Sequence, residues 1–416
     1  MGASREVGRS GFLIGCKDTN ILLDYGVMFG RRGNPPKYPQ HVRPKDIGGI
    51  VITHAHLDHS GYVPSLFVSG NTNVYATSPT IQLSKLLIED MLKIDCSAHA
   101  FDAPEVEHMM NNWKDTHYRE KIKIGEASLE LFESGHVIGG STVKIQTEGK
   151  SLFYTGDVHL GGSRILRKMD MDIGEIDVLI TESTYSQTEQ SPRVQSENNL
   201  VEFANEVMER KGILFVPSFS VERAQEIACV LKSSNFKHRV IMDGMALKVN
   251  KIMMEHPEYL REPDVFNKAI KQAIAVTSHD QRENMMKEPC VVVSPAGMLV
   301  GGNAVYYLQQ LAFDQKNGIA LVSYQGEGTP GKKLLEEGVV STRGHDMNVK
   351  AEVKQFQFSG HSDRKELFEM IKQIKGNPRV FVVHGDNDSC ISFADEIKEK
   401  FGLQTSAPRI GQTISV

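Results

Sequence analysis

Residues 53–60 read THAHLDHS and put four metal-ligating side chains, His54, His56, Asp58 and His59, within six positions. In extended backbone, side chains at i and i+2 point the same way, so His54 and His56 can reach one ion. Asp58 and His59, past a turn, can face a second. Imidazole nitrogen mixed with carboxylate oxygen is a donor set that zinc takes without any thiolate. A single His after a strand or a single Asp before a helix would be solvated or capping, but the HxHxDH spacing is hard to explain in that way. Water bridging two such ions has its pKa lowered to about 7, so the chemistry on offer is hydrolysis.

The apolar run Ile50–Ile52 reads as a buried strand that empties into this stretch. Upstream, residues 10–24 read as two strands joined by a turn at Lys17–Asn20 and closed by Asp24, which before Gly26 could serve a turn or a site. Four prolines mark a loop over 30–46. Ser78-Pro79 opens a helix with Ile81, Leu83, Leu86, Leu87 and Met91 at helical spacing, and a second helix is expected after Pro104. From 121 to 160 strands return, delivering His136 in ESGHVIGG and Asp157 at the end of SLFYTGD. These supply a third His for the first ion and a carboxylate able to bridge both, because strand ends on one edge of a sheet are where such loops converge. DVLITEST, 177–184, is a further buried strand ending in Glu182.

The polar stretch SQTEQSPRVQSENN then reads as a crossing into a second domain, in which helix and strand take turns up to residue 337. That alternation predicts an open parallel sheet with helices on its faces. Its loops PSFSVER, SPAGMLVGG and YQGEGTPGKK follow strand ends, where ligands bind in such folds. None matches GxGxxG or a P-loop, so no nucleotide cofactor is indicated. Arg223, Lys332 and Lys333 are candidate phosphate contacts, balanced against a merely solvated helix face. After residue 350 the strand-rich style resumes with VKQFQF, a loop carrying His361, a helix, and the strand RVFVVHGDND, which delivers His384. The first domain is therefore expected to be split, with the α/β unit inserted.

Composition frames this reading. At 416 residues two domains are the natural expectation, and 40% hydrophobic with 24% charged residues describes a soluble globular chain. No apolar run approaches a membrane span and no signal peptide is evident, so a cytoplasmic location is expected. Cys16, Cys96, Cys229, Cys290 and Cys390 lie far apart with no CxxC pair, which fits reduced thiols. A net charge of −5 argues against a chain that coats nucleic acid nonspecifically, yet leaves room for a nuclease with a local basic groove.

Asp24, the HxHxDH stretch, His136 and Asp157 together resemble the four motifs of the metallo-β-lactamase fold. Glu182 in TEST, His361 in SGHSD and His384 in VVHGD resemble motifs A, B and C of the β-CASP nucleases. The segments GASREVGRS, SPAGML, YQGEGT and VKAEV are similar to the RNA-processing members related to the cleavage and polyadenylation specificity factor endonuclease, most of all its archaeal homologues. The resemblance covers essentially the whole chain. It implies an α/β fold, a metallo-β-lactamase αββα sandwich (1–186 and 356–416) with an inserted open α/β β-CASP domain (187–355). It also implies two Zn2+, one held by His54, His56 and His136 and the other by Asp58, His59 and His384, with Asp157 bridging. Asp24 would order the HxHxDH loop, and Glu182 would orient His361 as a non-ligand general acid. Asp58 counts among the catalytic residues as well as the ligands.

The substrate implied is single-stranded RNA, since a histidine at motif C is associated with RNA rather than DNA. Hydrolysis should leave a 5′-phosphate and a 3′-hydroxyl, by endonucleolytic attack, 5′-to-3′ exonucleolytic attack, or both, in RNA 3′-end processing or turnover. The first strand of the fold is expected to be short or missing. With no room for KH-type domains, RNA binding would rest on the cleft between the two domains. The ending GQTISV gives a faint strand signal, which makes a homodimer or contact with processing-complex subunits the candidate partnerships. A small-molecule hydrolase of the lactamase or glyoxalase type would share HxHxDH but would need neither the inserted domain nor Glu182 and His361. A non-catalytic RNA-binding subunit is disfavoured because every ligand position is filled.

Overall fold

The computed structural model describes residues 1–416 apart from 30–34, 95–98 and 343–344; Cys96 and part of the proline-marked loop lie outside the described residues. The chain folds as two compact units. One comprises Met1–Gly162, Arg167–Glu189 and Gly360–Val416; the other comprises Ser163–Leu166 and Gln190–Ser359.

In the first unit, β1 (Phe12–Gly15) and β2 (Asn20–Leu23) form an antiparallel hairpin around the expected turn. β3 (Gly49–Val51), β4 (Val74–Ala76) and β5 (Trp113–Asp115) extend the sheet in parallel, in the order β1-β2-β3-β4-β5. Between these strands run α1 (Leu57–Ser60), α2 (Ser78–Ile94) and α3 (Ala103–Asn111). A second sheet starts as the antiparallel meander β6 (Lys121–Ile124), β7 (Ala127–Glu133), β8 (Ser141–Thr147) and β9 (Lys150–Tyr154), to which β10 (Val178–Glu182) adds in parallel.

The second unit follows as α4 (Arg193–Glu209), β11 (Ile213–Pro217), α5 (Arg223–Ser233), β12 (Arg239–Asp243), α6 (Ala246–Glu255), α7 (Pro263–Gln272), β13 (Ile274–Val276), α8 (His279–Met285), β14 (Cys290–Ser294), α9 (Gly302–Leu311), β15 (Gly318–Leu321), α10 (Pro330–Glu337), the hairpin β16 (Val339–Thr342) and β17 (His345–Asn348), and β18 (Glu352–Gln355). Its sheet, β13-β12-β14-β11-β15-β18, is parallel throughout. Each central strand is buried on both faces, which is why ILFVP and CVVVS read as continuous apolar runs rather than alternating ones. The strand expected to open the return, β18, instead closes the edge of this sheet.

The chain then re-enters the first unit as α11 (Arg364–Gln373), β19 (Arg379–Val383), α12 (Asn387–Phe401) and β20 (Thr405–Ser406), completing the sheet β20-β19-β10-β9-β8-β7-β6. Strand alternation sorts its side chains into layers. Ile21, Leu23 and Val51 of the first sheet pack with Leu131, Val143, Ile180 and Val383 of the second. Their neighbours face outward: Leu22 and Ile50 meet Ile81, Ile88 and Val106 of α2 and α3, while Val380 and Val382 meet Leu367, Met370 and Phe393 of α11 and α12. The result is an αββα sandwich, with each buried aliphatic or aromatic side chain contributing about 1.5–3 kcal/mol. This packing fixes the strand ends from which the polar loops emerge.

Candidate metal centre

β3 is fully buried, and the chain leaves it extended, so His54 and His56 follow on before α1 starts with His56 as its N-cap. The single turn of α1 carries Asp58 and His59. Segment 25–27 runs alongside it: the backbone N–H of Tyr25 donates to His59 O at 2.7 Å and that of Val27 to Leu57 O at 2.8 Å. Gly26 between them is required by space, because a Cβ there would lie 1.8 Å from the Asp58 carbonyl oxygen. Two further candidate ligands stand at strand ends, His136 after β7 and His384 after β19, while Asp157 follows β9.

These loops converge. His54, His56, His136 and Asp157 offer ligand atoms all within 4.8 Å of one another, and so do Asp58, His59 and His384. Asp157 divides its carboxylate between the sets. Its Oδ2 lies 3.5 Å from His54 Nε2 and 3.7 Å from His136 Nε2, while its Oδ1 lies 3.4 Å from His59 Nε2 and 3.3 Å from His384 Nδ1. Asp58 Oδ2 completes the second set, 3.3 Å from His384 Nε2.

Asp24 is a fully buried hub at left-handed φ (56°). Its carboxylate accepts from Thr53 N (2.8 Å), Thr53 Oγ1 (2.9 Å), Tyr154 OH (2.9 Å) and the His59 Nδ1 side (2.8 Å). That fixes the imidazole so that Nε2 faces Asp157, the arrangement in which a carboxylate orients a metal-binding His. His136 is held likewise, with Nδ1 donating to Gly360 O at 2.7 Å. Glu182, also fully buried, accepts the Val158 N–H at 2.8 Å and faces His361 Nδ1 with both oxygens at 3.1 Å. The other nitrogen, His361 Nε2, stands 4.0 Å from Asp157 Oδ2.

Protonation follows from these partners. Burial, with His59 nearby, holds His54 well below the usual imidazole range, and burial pushes His56 down to about 4. Burial, with His361 beside it, does the same to His136. All three are therefore neutral bases at pH 7, as ligands must be. At His361 burial is outweighed by Glu182 and Asp157, raising it to about 9. At His59 and His384 burial is outweighed by Asp157 and the other carboxylates, which raise both. Asp58 is held down to about 2, because His59 and His384 overcome the cost of burial, and Asp157 is held well below the carboxylate range by His384, His59 and His361. Both carboxylates are thus ionised.

The donor sets fit divalent ions. His54 Nε2 and Asp157 Oδ1 are buried without a hydrogen-bond partner, a costly state for polar atoms that a coordinated cation would relieve. Mixed imidazole and carboxylate donors without thiolate suit zinc-like ions in both positions.

Several supporting residues escaped the sequence reading. Thr53, Tyr154, Ser10 (Oγ 3.3 Å from His59 Nε2) and Thr184 (Oγ1 3.2 Å from His384 Nδ1) act through tertiary contacts that no local spacing announces. Arg223, Lys332 and Lys333 belong to the second unit. Lys332 is paired with Glu336 (2.8 Å) and Glu327 (3.5 Å), and Lys333 with Asp346. Arg223 is buried, with Nη1 unpartnered.

Three family models match the chain: a metallo-beta-lactamase superfamily domain over 13–184, a Beta-Casp domain over 224–334, and a Zn-dependent metallo-hydrolase RNA specificity domain over 346–408. Among similar proteins, the RNase aCSPSF2 of Saccharolobus solfataricus is 37% identical, aligning with 100% of this chain and 84% of its own length. The probable RNase MJ4 of Methanocaldococcus jannaschii is 32% identical over 100% and 99%, and the transcription termination factor FttA of the same organism is 31% identical over 98% and 70%. A crystal structure of a protein of unknown function from Enterococcus faecalis shares the fold with a TM-score of 0.61 at 14% identity, covering 99% of this chain and 97% of that one.

Proposed function

The chain belongs to the β-CASP family of metallo-β-lactamase-fold ribonucleases, in its archaeal cleavage and polyadenylation specificity factor-like group, and on that premise we propose that it hydrolyses phosphodiester bonds of single-stranded RNA using two zinc ions. The observation that carries the proposal is the divided carboxylate of Asp157, one oxygen toward each donor set, beside a His361 paired with Glu182. The matched RNA specificity domain over 346–408 and the RNases among the relatives support RNA as the substrate.

His54, His56 and His136 would hold one ion and Asp58, His59 and His384 the other, with Asp157 between them. Bound there, the ions would supply a water of lowered pKa and neutralise charge on the phosphoryl oxygens. Asp24 holds His59 through Nδ1, so that Nε2 is the nitrogen whose proton an ion would displace. The leaving 5′-oxygen would depart as a strongly basic alkoxide unless protonated. His361, charged at neutral pH because of Glu182, gives the proton on Nε2 to that oxygen as the P–O bond breaks. The products are a 5′-phosphate and a 3′-hydroxyl.

The test is to incubate the metal-loaded protein with a circular single-stranded RNA and with its linear 5′-monophosphate form, using Asp157→Ala as control. Opening of the circle with an inert control identifies an endonuclease and favours a role in RNA 3′-end processing. Loss of the linear RNA alone, releasing mononucleotides, identifies a 5′-to-3′ exonuclease and favours turnover or maturation. If both RNAs survive a protein that has bound two ions, the proposal is wrong.

A further inference from the structure

The outgoing and returning chain segments are tied together inside the second unit. Ser191 N donates to Gln357 Oε1 at 2.6 Å, and Arg193 Nη2 donates to the carbonyl of Ser359 at 2.6 Å. Arg193 is the first residue of α4, and its guanidinium lies 5.3 Å from the ring centroid of Phe358, itself almost fully buried. Glu226, Glu197 and Glu222 act on its charge favourably and Arg223 unfavourably, and its Nη1 is buried without a partner. A guanidinium set beside a buried aromatic ring, with its charge held among carboxylates, offers a short donor to a single carbonyl.

That carbonyl is well placed to matter. The next one along the chain, of Gly360, accepts the His136 Nδ1 hydrogen bond, and the residue after that is His361. Fixing the peptide that joins Ser359 to Gly360 therefore fixes the point from which the His361 backbone departs. We infer that Arg193 is a positioning residue for His361: through the Ser359 carbonyl it restrains the peptide two residues ahead of the proton donor. The inference rests on the proposed role of His361 as general acid. Acid catalysis is sensitive to such placement, since displacement of about 1 Å can cost about 100-fold in rate.

The test uses two RNA substrates that differ at one atom. In the natural linkage the attacking oxygen bonds to phosphorus, the P–O5′ bond breaks, and the His361 proton passes to O5′. In a linkage with sulfur at the 5′ bridging position the P–S bond breaks and the electron pair leaves on sulfur as a thiolate, a far weaker base that needs no proton. Arg193→Gln is expected to lower kcat roughly 10- to 100-fold on the natural linkage, with KM and bound metal unchanged, and by no more than a few-fold on the sulfur linkage. Arg193→Lys, which keeps one donor, should recover part of the loss. Gln357→Ala, which breaks the neighbouring tie but not the one to Ser359, should leave the ratio between the two substrates at its wild-type value.

Equal losses of Arg193→Gln on both linkages overturn the inference, as does an unchanged kcat in that variant. If the glutamine variant does not fold, the lysine variant decides by the same ratio. His361→Ala separates the two levels of the argument. Its selective recovery on the sulfur linkage upholds the general-acid reading whatever Arg193 does, whereas failure to recover removes that reading and the Arg193 inference with it.

Discussion

The buried pair Glu182–His361 shows how far one side chain decides the behaviour of another. With both glutamate oxygens 3.1 Å from Nδ1, His361 keeps its proton up to about pH 9. A group whose pKa is raised serves as an acid below that value and fails above it, so kcat is expected to hold through neutrality and fall as pH rises through about 9. Glu182→Gln removes the charge, and the falling limb should then move toward the ordinary imidazole range near 6.5, measured as the pH dependence of kcat at saturating RNA. An unmoved limb would show that another group sets it. At this scale the ligands were legible because the HxHxDH spacing is local, whereas Asp24 was ambiguous between turn and site. Its role became visible only where Thr53, Tyr154 and His59 meet it, residues that come from beyond β3, from the end of β9 and from α1.

Among elements, the N-terminal segment bears most directly on the site. Ala3 O accepts the His384 N–H at 2.7 Å, Ser10 N donates to Asp58 O at 2.7 Å, and Ser10 O accepts from Gly26 N at 2.8 Å. One irregular strap thus holds the backbone of two members of the second donor set. Gly26→Ala should push α1 away from segment 25–27, since its Cβ would overlap the Asp58 carbonyl. On the proposed two-ion site, the expected outcome is a protein that binds close to one divalent ion per chain instead of two and loses about 100-fold or more in activity, read by metal analysis beside RNA cleavage. Retention of both ions would mean that the loop adjusts. The long apolar strands and the helices at Ser78 and Pro104 were readable from periodicity and helix-start signals. α8 was not, because HDQRENM buries no residue and so leaves no apolar stripe to find. α12 does carry one, in Cys390, Phe393, Ala394 and Ile397, but it starts within the run Gly385–Asp388, whose residue types favour a turn.

At the scale of the whole molecule, the expected insertion is more entangled than the alternation of strands and helices suggested. Residues 163–166 belong to the second unit although both flanks belong to the first. Within that unit Arg164 pairs with Glu197, its backbone N–H donates to Glu226 Oε1 at 3.2 Å, and Ser163 Oγ donates to Glu222 Oε1 at 3.2 Å. Nothing in the sequence marks this tetrapeptide, since its role depends on carboxylates that lie far along the chain. Arg164→Ala leaves the buried Glu197 without its partner. A fully buried broken pair costs about 3–5 kcal/mol, and the partial exposure of Arg164 reduces that to roughly 1–3 kcal/mol of unfolding free energy, measurable by urea denaturation. An unchanged midpoint would show that the pair is solvent-screened. Among the described residues no helix is long and apolar enough to cross a membrane.

The split of the first unit also has a consequence during synthesis. His54 through Glu182 leave the ribosome first, but His361 and His384 are translated only after the whole of the second unit. On the proposed mechanism a nascent chain therefore carries an incomplete second ion set and no proton donor for as long as it remains among ribosomal and messenger RNA. The order in which the fold is threaded keeps an RNA-cutting site unarmed until its maker is almost finished with it.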